Sequence, residues 1–573
     1  MRDSRRSSSG AGAPGVPWRE RCCGCRDAAI SRLLLWEMGD WFSCVLVVTP
    51  WCVQTLSRVV AEHAQQRPDG LAFIEAQARL SWRQYHQRAE RLARVLVGAG
   101  LAAGERVAVW LPDTPGVHIV WLACERAGVV VVGIGSRSGA AEVRQLLEKT
   151  GAVALIAPTH FRGDDVADLV SRWTAEGLPL RHRWSVDDDL ERDAPIFAAA
   201  EPAKLVELDD RGLGLEDLFL LNSTSGTTGL PKCVTQHQAR WMHFHALAVE
   251  SAALCEDDVF MSVLPAPFGF GLWTAHFSPT LLGAPTVLMQ RFEADAVLAC
   301  IERQRVSVLA AVSTQFILLL ESPELERRDL SSLRVLFTGG EAVPVARAAA
   351  FEERTGAKVL QFYGSNETGA LSRTSLDDSR EVRLRSAGRV IDSMQVRLFD
   401  ESGADVTQSG EGQPGCKGPL ICRGYYDDAA ANAELVRPDG WMLTGDVVQI
   451  DEDGVLRVVG RTADFIIRGG KNISGPAVEE AVATHPAVAL AAAVAMPDPV
   501  FGERVCIYLE LRANASLDLA GLVSHLEAEG VSKEWYPERL VVLDALPRAS
   551  GGKVAKQALR EDIRRRLAEG RGA

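Results

Sequence analysis

The sequence predicts an α/β protein, with a large N-terminal domain of parallel-rich sheets flanked by helices and a small, mobile C-terminal α+β domain. Three observations lead there. Short apolar runs at 106–111, 129–134, 153–157, 218–221, 285–289, 306–312, 334–338 and 358–362 alternate with helix-length stretches such as 140–149, the rhythm of buried strands joined by crossover helices. The chain has 573 residues, too many for one ordinary core. After Gly460 the pattern changes to a compact unit, with strands expected at 464–468 and 505–511 and helices at 477–484 and 519–529. The expected bounds are an extension over 1–48, a large domain over 49–460 and a small one over 461–573, with a hinge at 461–464.

One helix of the large domain is announced by its cap. Ser81 and Gln84 have capping-box spacing, Tyr85, Ala89, Leu92 and Leu96 fall on one helical face, and Gly98 or Gly100 ends the run. A net charge of −13 argues against a nucleic-acid partner, whose footprint is basic. Cys124, Cys233, Cys300 and Cys506 are scattered singly in core-like runs, as buried free thiols are in a reducing cytosol, so a cytoplasmic protein is expected. Cys22, Cys23 and Cys25 lack a second pair at zinc-site spacing. Arg2, Arg5, Arg6 and the serines at 7–9 read as disordered. Residues 41–57 are uncharged but interrupted by Pro50 and short for a span, and no signal-peptide arrangement is present. An extension foreign to the fold, with Met38 as the start, and no membrane span are expected.

The chemistry concentrates in loops at strand ends. Ser223, Thr224, Ser225, Gly226, Thr227, Thr228, Gly229 and Lys232 follow the apolar run 218–221. Two glycines and five hydroxyls offer backbone N–H groups and side-chain donors to a polyphosphate, and Lys232 adds a point charge. The spacing is not that of a Walker A loop, because Cys233 follows the lysine. A second segment, Tyr363, Gly364, Ser365, Asn366 and Glu367, sets a carboxylate where Mg²⁺ would find an oxygen ligand, beside an aromatic able to stack on a base. Gly339, Gly340 and Glu341 form a third, whose glycines let a flat ring approach the backbone. Gly133, Gly135 and Gly139 imitate a dinucleotide loop, but their spacing is one residue too long and no acidic residue follows in a clean βαβ unit.

Taken in order, these segments resemble the signatures of the adenylate-forming superfamily, which includes acyl-CoA synthetases, from about residue 54 to about 565. The resemblance implies that the 223–232 loop grips the β- and γ-phosphates of ATP and that Glu367, with Thr224, serves as metal ligand and in catalysis. Tyr363 would pack on adenine, and Gly364, Ser365 and Asn366 would contact the nucleotide toward the α-phosphate. Threonine is usual at the position of Asn366, whose carboxamide can still donate. Residues 338–342 would line the adenine and acyl sites. Asp446 would hold the ribose with support from Arg461, and Ala463 stands where a lysine or aspartate hinge residue is usual. Lys553, in a glycine loop at 547–553, corresponds to the catalytic lysine. Gly470 and Lys471 correspond to the segment that faces the site during thioester formation.

The segment 264–273 corresponds to the acid-binding motif, with Phe268 where many relatives have histidine. Phe268, Phe270 and Trp273 form an apolar wall without charge; Val312 and Ser313 face it, beside Gly339 and Gly364. A second carboxylate or an amino group would want a charged partner, so the expected substrate is a hydrophobic monocarboxylic acid. The expected enzyme is an AMP-forming acid:CoA ligase using ATP, Mg²⁺ and coenzyme A. The residues also admit transfer to a separate carrier protein, a homodimer, or an inactive scaffold of the same fold.

Overall fold

The structure, a computed structural model, describes residues 54–569 apart from positions 77, 162, 188–195, 197–207, 209–210, 225–231, 341–342, 462–464, 469–470 and 550–551. The expected N-terminal extension, the Cys22–Cys25 cluster and the hinge at 462–464 lie outside the described residues.

Among the described residues one nine-stranded sheet runs in the order Arg389–Val390, Gly369–Arg373, Lys358–Ser365, Val335–Gly339, Val308–Ala310, Phe260–Ser262, Thr286–Leu288, Leu71–Glu75 and Ala78–Ser81. It is parallel in its centre and antiparallel at both edges. A six-stranded sheet orders Lys232–His237, Leu218–Thr224, Val130–Gly133, Arg106–Val109, Ala154–Ala157 and His182–Ser185, parallel except at Lys232–His237. Its central strands Val130–Gly133 and Ala154–Ala157 are short apolar runs buried throughout, as parallel sheets demand. The parallel-rich α/β architecture is therefore present, with a small C-terminal sheet of Phe465–Arg468, Lys471–Ser474, Val488–Asp498, Gly502–Leu511 and Arg539–Val542.

Local chemistry accounts for individual elements. Helix Trp82–Gly98 starts at the expected capping box: Ser81 accepts from the Gln84 amide, and the Gln84 side chain accepts from the Ser81 amide. Tyr85, Ala89, Leu92 and Leu96 are buried on one face. Cys124, Cys233, Cys300 and Cys506 are buried as free thiols.

Two strands outrun their apolar runs. Leu218–Thr224 carries Asn222, Ser223 and Thr224 in strand rather than loop, because Lys232–His237 pairs back on it in the register Thr224↔Lys232. Lys358–Ser365 carries Tyr363, Gly364 and Ser365 for the same reason, through Ser365↔Gly369. Backbone pairing to a hairpin partner needs no apolar side chain, so composition does not signal it. Nor does it signal the antiparallel sheet built from Gln395–Phe399, Glu411–Lys417, Met442–Leu443, Asp446–Ile450 and Leu456–Arg461, whose strand Glu411–Lys417 contains two glycines and a proline.

The C-terminal sheet packs on the large domain. Leu490, Ala492, Val494 and Met496 share an apolar cluster with Phe316, Ile317 and Leu320 of helix Ser313–Glu321. At the edge of that contact Glu321 accepts from Arg347 at 3.1 Å and from Arg512 at 2.8 Å. Among the described residues no helix is long and apolar enough to cross a membrane.

Candidate active site

The phosphate segment is a hairpin whose two described stems are Leu218–Thr224 and Lys232–His237; Ser225, Gly226, Thr227, Thr228 and Gly229 lie outside the described residues. Lys232 stands on the returning stem, its ammonium 5.1 Å from the centre of the Tyr425 ring and 3.7 Å from a Glu434 oxygen. The Tyr425 hydroxyl donates to Glu367 Oε1 at 2.9 Å. Burial, then the adjacent Glu367 carboxylate, holds this phenol well above its ordinary pKa, so it remains a donor. Lys232, Tyr425 and Glu367 thus form one group, and sequence reasoning missed its middle member. The only sequence signal is an aromatic after Gly424, far along the chain from both partners.

The turn that carries Glu367 is fixed by its neighbours. Ser365 Oγ accepts from the Glu367 and Thr368 amides at 3.2 and 3.1 Å, and Thr368 Oγ1 accepts from the Ser365 amide at 2.9 Å. A β-carbon on Gly364 would lie 1.7 Å from the Gly369 carbonyl oxygen, so only glycine lets the hairpin close here. The Asn366 carboxamide points into a polar cluster: it donates to Asn222 Oδ1 at 2.8 Å and accepts from Gln236 at 3.1 Å.

Tyr363 and Asp446 meet directly. The Tyr363 hydroxyl donates to Asp446 Oδ2 at 2.8 Å, and Asp446 is 7% exposed. Asp446 pairs with Arg461 across adjacent strands. The structure thus brings together an aromatic expected at adenine and a carboxylate expected at ribose. The side chains of Thr224, Arg461 and Lys471, together with Glu341 and Gly470, lie outside the described residues.

The C-terminal lysine loop reaches this site. Lys553 Nζ donates to the Gly340 carbonyl, and Thr314 donates to the Gly552 carbonyl at 3.0 Å. Gly340 has φ +77°, and a β-carbon there would stand 2.7 Å from Lys553 Nζ. The Gly339–Gly340 segment therefore receives the ammonium of a residue more than two hundred positions away. Arg137, from the Gly133–Gly139 segment, donates to the Ala549 carbonyl at 3.3 Å, so that segment touches the lysine loop.

The acyl segment builds an aromatic wall. Trp273, 2% exposed, lies with its ring centre 5.6 Å from Phe270, 5.1 Å from Phe337 and 5.7 Å from Phe362. Phe270 packs with Leu264, Ala310 and Val312; Val312 and Ser313 are buried beside them. Phe268 turns toward Gly135, where a β-carbon would meet its ring at 3.2 Å. The tryptophan sits in a π-helical turn, Leu272–Phe277, a deformation frequent near functional sites. One carboxylate stands behind this segment: Asp113 accepts from the Ala266 amide at 2.8 Å, and burial pushes its pKa up to about 6.

Comparison with known proteins fits this geometry. The AMP-binding enzyme family matches residues 60–426, and the AMP-binding enzyme C-terminal domain matches 477–553. The chain is 32% identical over 537 residues to the medium-chain fatty-acid–CoA ligase of Escherichia coli strain K12, covering 91% of this chain and 92% of that protein. It is 33% identical over 526 residues to the salicyl-AMP ligase/salicyl-S-ArCP synthetase of Mycobacterium tuberculosis strain H37Rv, covering 89% and 91%. The solved structure of ATP-bound MatB from Rhodopseudomonas palustris aligns with a TM-score of 0.77 at 25% identity, covering 88% of this chain and 98% of that one.

Proposed function

We propose that this chain, which belongs to the AMP-binding enzyme family and is an ATP-dependent adenylate-forming ligase, activates a hydrophobic monocarboxylic acid and passes the acyl group to coenzyme A. The observation that carries the acid class is the uncharged wall of Phe270, Trp273, Phe337 and Phe362. A charged substituent on the acid would lose its hydration there without a partner.

In this reading the acid's carboxylate attacks the α-phosphorus of ATP, pyrophosphate leaves, and the acyl-adenylate remains. Lys553 supplies positive charge where negative charge grows on the attacking carboxylate and the α-phosphate. The phosphate hairpin with Lys232 holds the β- and γ-phosphates. Tyr363 offers its face to adenine while Asp446 accepts from the ribose hydroxyls, with Arg461 beside it. The Mg²⁺ requirement fits the donor set. Glu367 offers a hard carboxylate oriented by Tyr425, and among the described residues no group of three or more His, Cys, Asp or Glu could cage a metal by itself. Mg²⁺ characteristically takes one or two carboxylates and completes its shell with water and substrate phosphates. When bound, it would neutralise phosphate charge. The small domain, hinged at 461–464, then withdraws Lys553, and the segment holding Gly470 and Lys471 turns toward the site as the thiol attacks the mixed anhydride.

The similarity to the salicyl-S-ArCP synthetase favours a second reading of the last step, in which a carrier-protein thiol replaces coenzyme A. Pyrophosphate release with MgATP across a panel of monocarboxylic acids, with and without CoA, separates the two. Continuous acid-dependent release only with CoA supports the ligase. A single burst that CoA does not sustain points to a carrier protein. Faster turnover with dicarboxylic or amino acids than with apolar ones would overturn the acid class.

A further inference from the structure

Arg240 follows the phosphate hairpin, in the first turn of helix Gln238–Ala252, and it is 1% exposed. Among the described residues no carboxylate lies within ion-pairing distance of it. Its guanidinium instead donates to the Gln236 amide oxygen at 2.8 Å and to the carbonyls of Asn366 and Glu367 at 3.1 and 3.4 Å. Burying a cation against neutral acceptors is costly, and burial lowers its pKa to about 10. The rigid fork of the guanidinium spans what a point charge could not: one arm on the hairpin, the other on the turn that carries Glu367.

The surrounding carboxamides complete a strut. Gln236 donates to Asn222 at 2.9 Å and to Asn366 at 3.1 Å, and Asn366 donates back to Asn222 at 2.8 Å. Asn222 also donates to the Pro267 carbonyl at 2.8 Å, and a β-carbon on Gly269 would lie 2.8 Å from Asn366 Oδ1. Asn222 and Gln236 belong to the six-stranded sheet, Asn366 follows a strand of the nine-stranded sheet, and Pro267 belongs to the acyl segment. The strut therefore ties three separate walls of the site together. Threonine at 366 is too short to reach Asn222 and Gln236 as this carboxamide does, whereas Arg240 grips the backbone carbonyl of the same residue.

We propose that Arg240 is a positioning residue that, through Gln236 and Asn366, fixes the Glu367 turn against the phosphate hairpin and so sets the divalent-metal site. The inference rests on the assignment of Glu367 as metal ligand. Outer-shell partners of metal ligands typically govern 10–100-fold in metal affinity or activity.

The test is Mn²⁺ binding to the full chain with saturating ATP and no acid, followed by electron paramagnetic resonance, for wild type and for Arg240→Met, Arg240→Lys, Asn366→Thr and Glu367→Gln. Arg240→Met is expected to weaken Mn²⁺ about tenfold at a temperature where circular dichroism shows it folded. The same variant should raise the KM for MgATP more than it lowers kcat. Arg240→Lys should recover little, because it restores charge without the fork. Asn366→Thr should weaken the metal in the same direction, and it carries the test if Arg240→Met does not fold. Wild-type Mn²⁺ affinity in folded Arg240→Met or Asn366→Thr, with weakened binding in Glu367→Gln, overturns the proposal. Unchanged binding in Glu367→Gln overturns the metal-ligand assignment on which it rests.

Discussion

Lys553 reaches Gly340 from the C-terminal lysine loop and donates to its carbonyl; in the proposed cycle its removal should cost one half-reaction and spare the other. Lys553→Ala is expected to slow acid-dependent adenylate formation about 10²–10³-fold, the effect of losing one preorganised charge donor. Thioester formation from supplied acyl-adenylate should stay within about twofold of wild type, because in the proposed cycle the lysine has by then withdrawn. Quenched-flow measurement of each half-reaction checks this, and equal losses in both would remove Lys553 from its assigned role. At this scale the sequence singled out Glu367, Asp446 and Lys553 by local pattern, and the structure places them against Tyr425, Tyr363 and the Gly340 carbonyl. The sequence was silent on Tyr425 and Arg240, whose importance lies in partners 58 and 126 or more positions away. No local spacing encodes such a pairing.

Helix Ser313–Glu321 connects two features that lie far apart in sequence. At its N-terminal end Thr314 holds the Gly552 carbonyl of the lysine loop. At its C-terminal end Glu321 accepts from Arg347 of the large domain and Arg512 of the small one. Arg512 also donates to the Pro486 carbonyl at 2.8 Å, so it ties the small sheet to the large domain in the arrangement that places Lys553 at Gly340. Arg512→Ala should destabilise this arrangement alone. The expected result is adenylate formation slowed about 5–30-fold, the size of an ordinary conformational coupling of 1–2 kcal/mol, with thioester formation unchanged or faster. Loss of both half-reactions together, or of neither, would show that the arrangement does not depend on this contact. The helix itself was not read from the apolar run 306–312 that precedes it. The elements that were read, such as Trp82–Gly98, had both a cap and a one-sided apolar face, whereas Ser313–Glu321 is buried nearly throughout and so has little periodicity to detect.

Over the whole molecule, burial of histidine sets the response to acid. Burial lowers the pKa of His63, His237 and His245 to about 4 and of His118 to about 3, while burial and the charge of His118 hold His276 well below 6.5. His118 and His276 face each other with their Nδ1 atoms 3.1 Å apart, so protonating both would set two cations side by side in the core. Each of these five groups has a folded pKa below its unfolded value, so the unfolded chain binds more protons once the pH drops below about 6.5. Their stabilising contribution is present above that pH and lost as it falls toward 4. Asp113 acts oppositely: its pKa is raised from 3.8 to about 6, so it favours the fold as pH falls through 6 and offsets one of the five. Burial raises the pKa of Glu125 as well, so it acts in the same sense as Asp113, and the net expectation is a loss of stability between pH 6.5 and 5 at about 1.4 kcal/mol per net proton per pH unit. Urea unfolding at pH 7.5, 6.5 and 5.5 measures it directly. The midpoint should fall steeply below pH 6.5, and His118→Phe should flatten the slope by removing one proton-uptake site together with its electrostatic coupling to His276. A midpoint constant to pH 5.5 would mean that these imidazoles gain access to water or a counter-charge before the chain unfolds, and the buried pair would then be a point of local opening in the core.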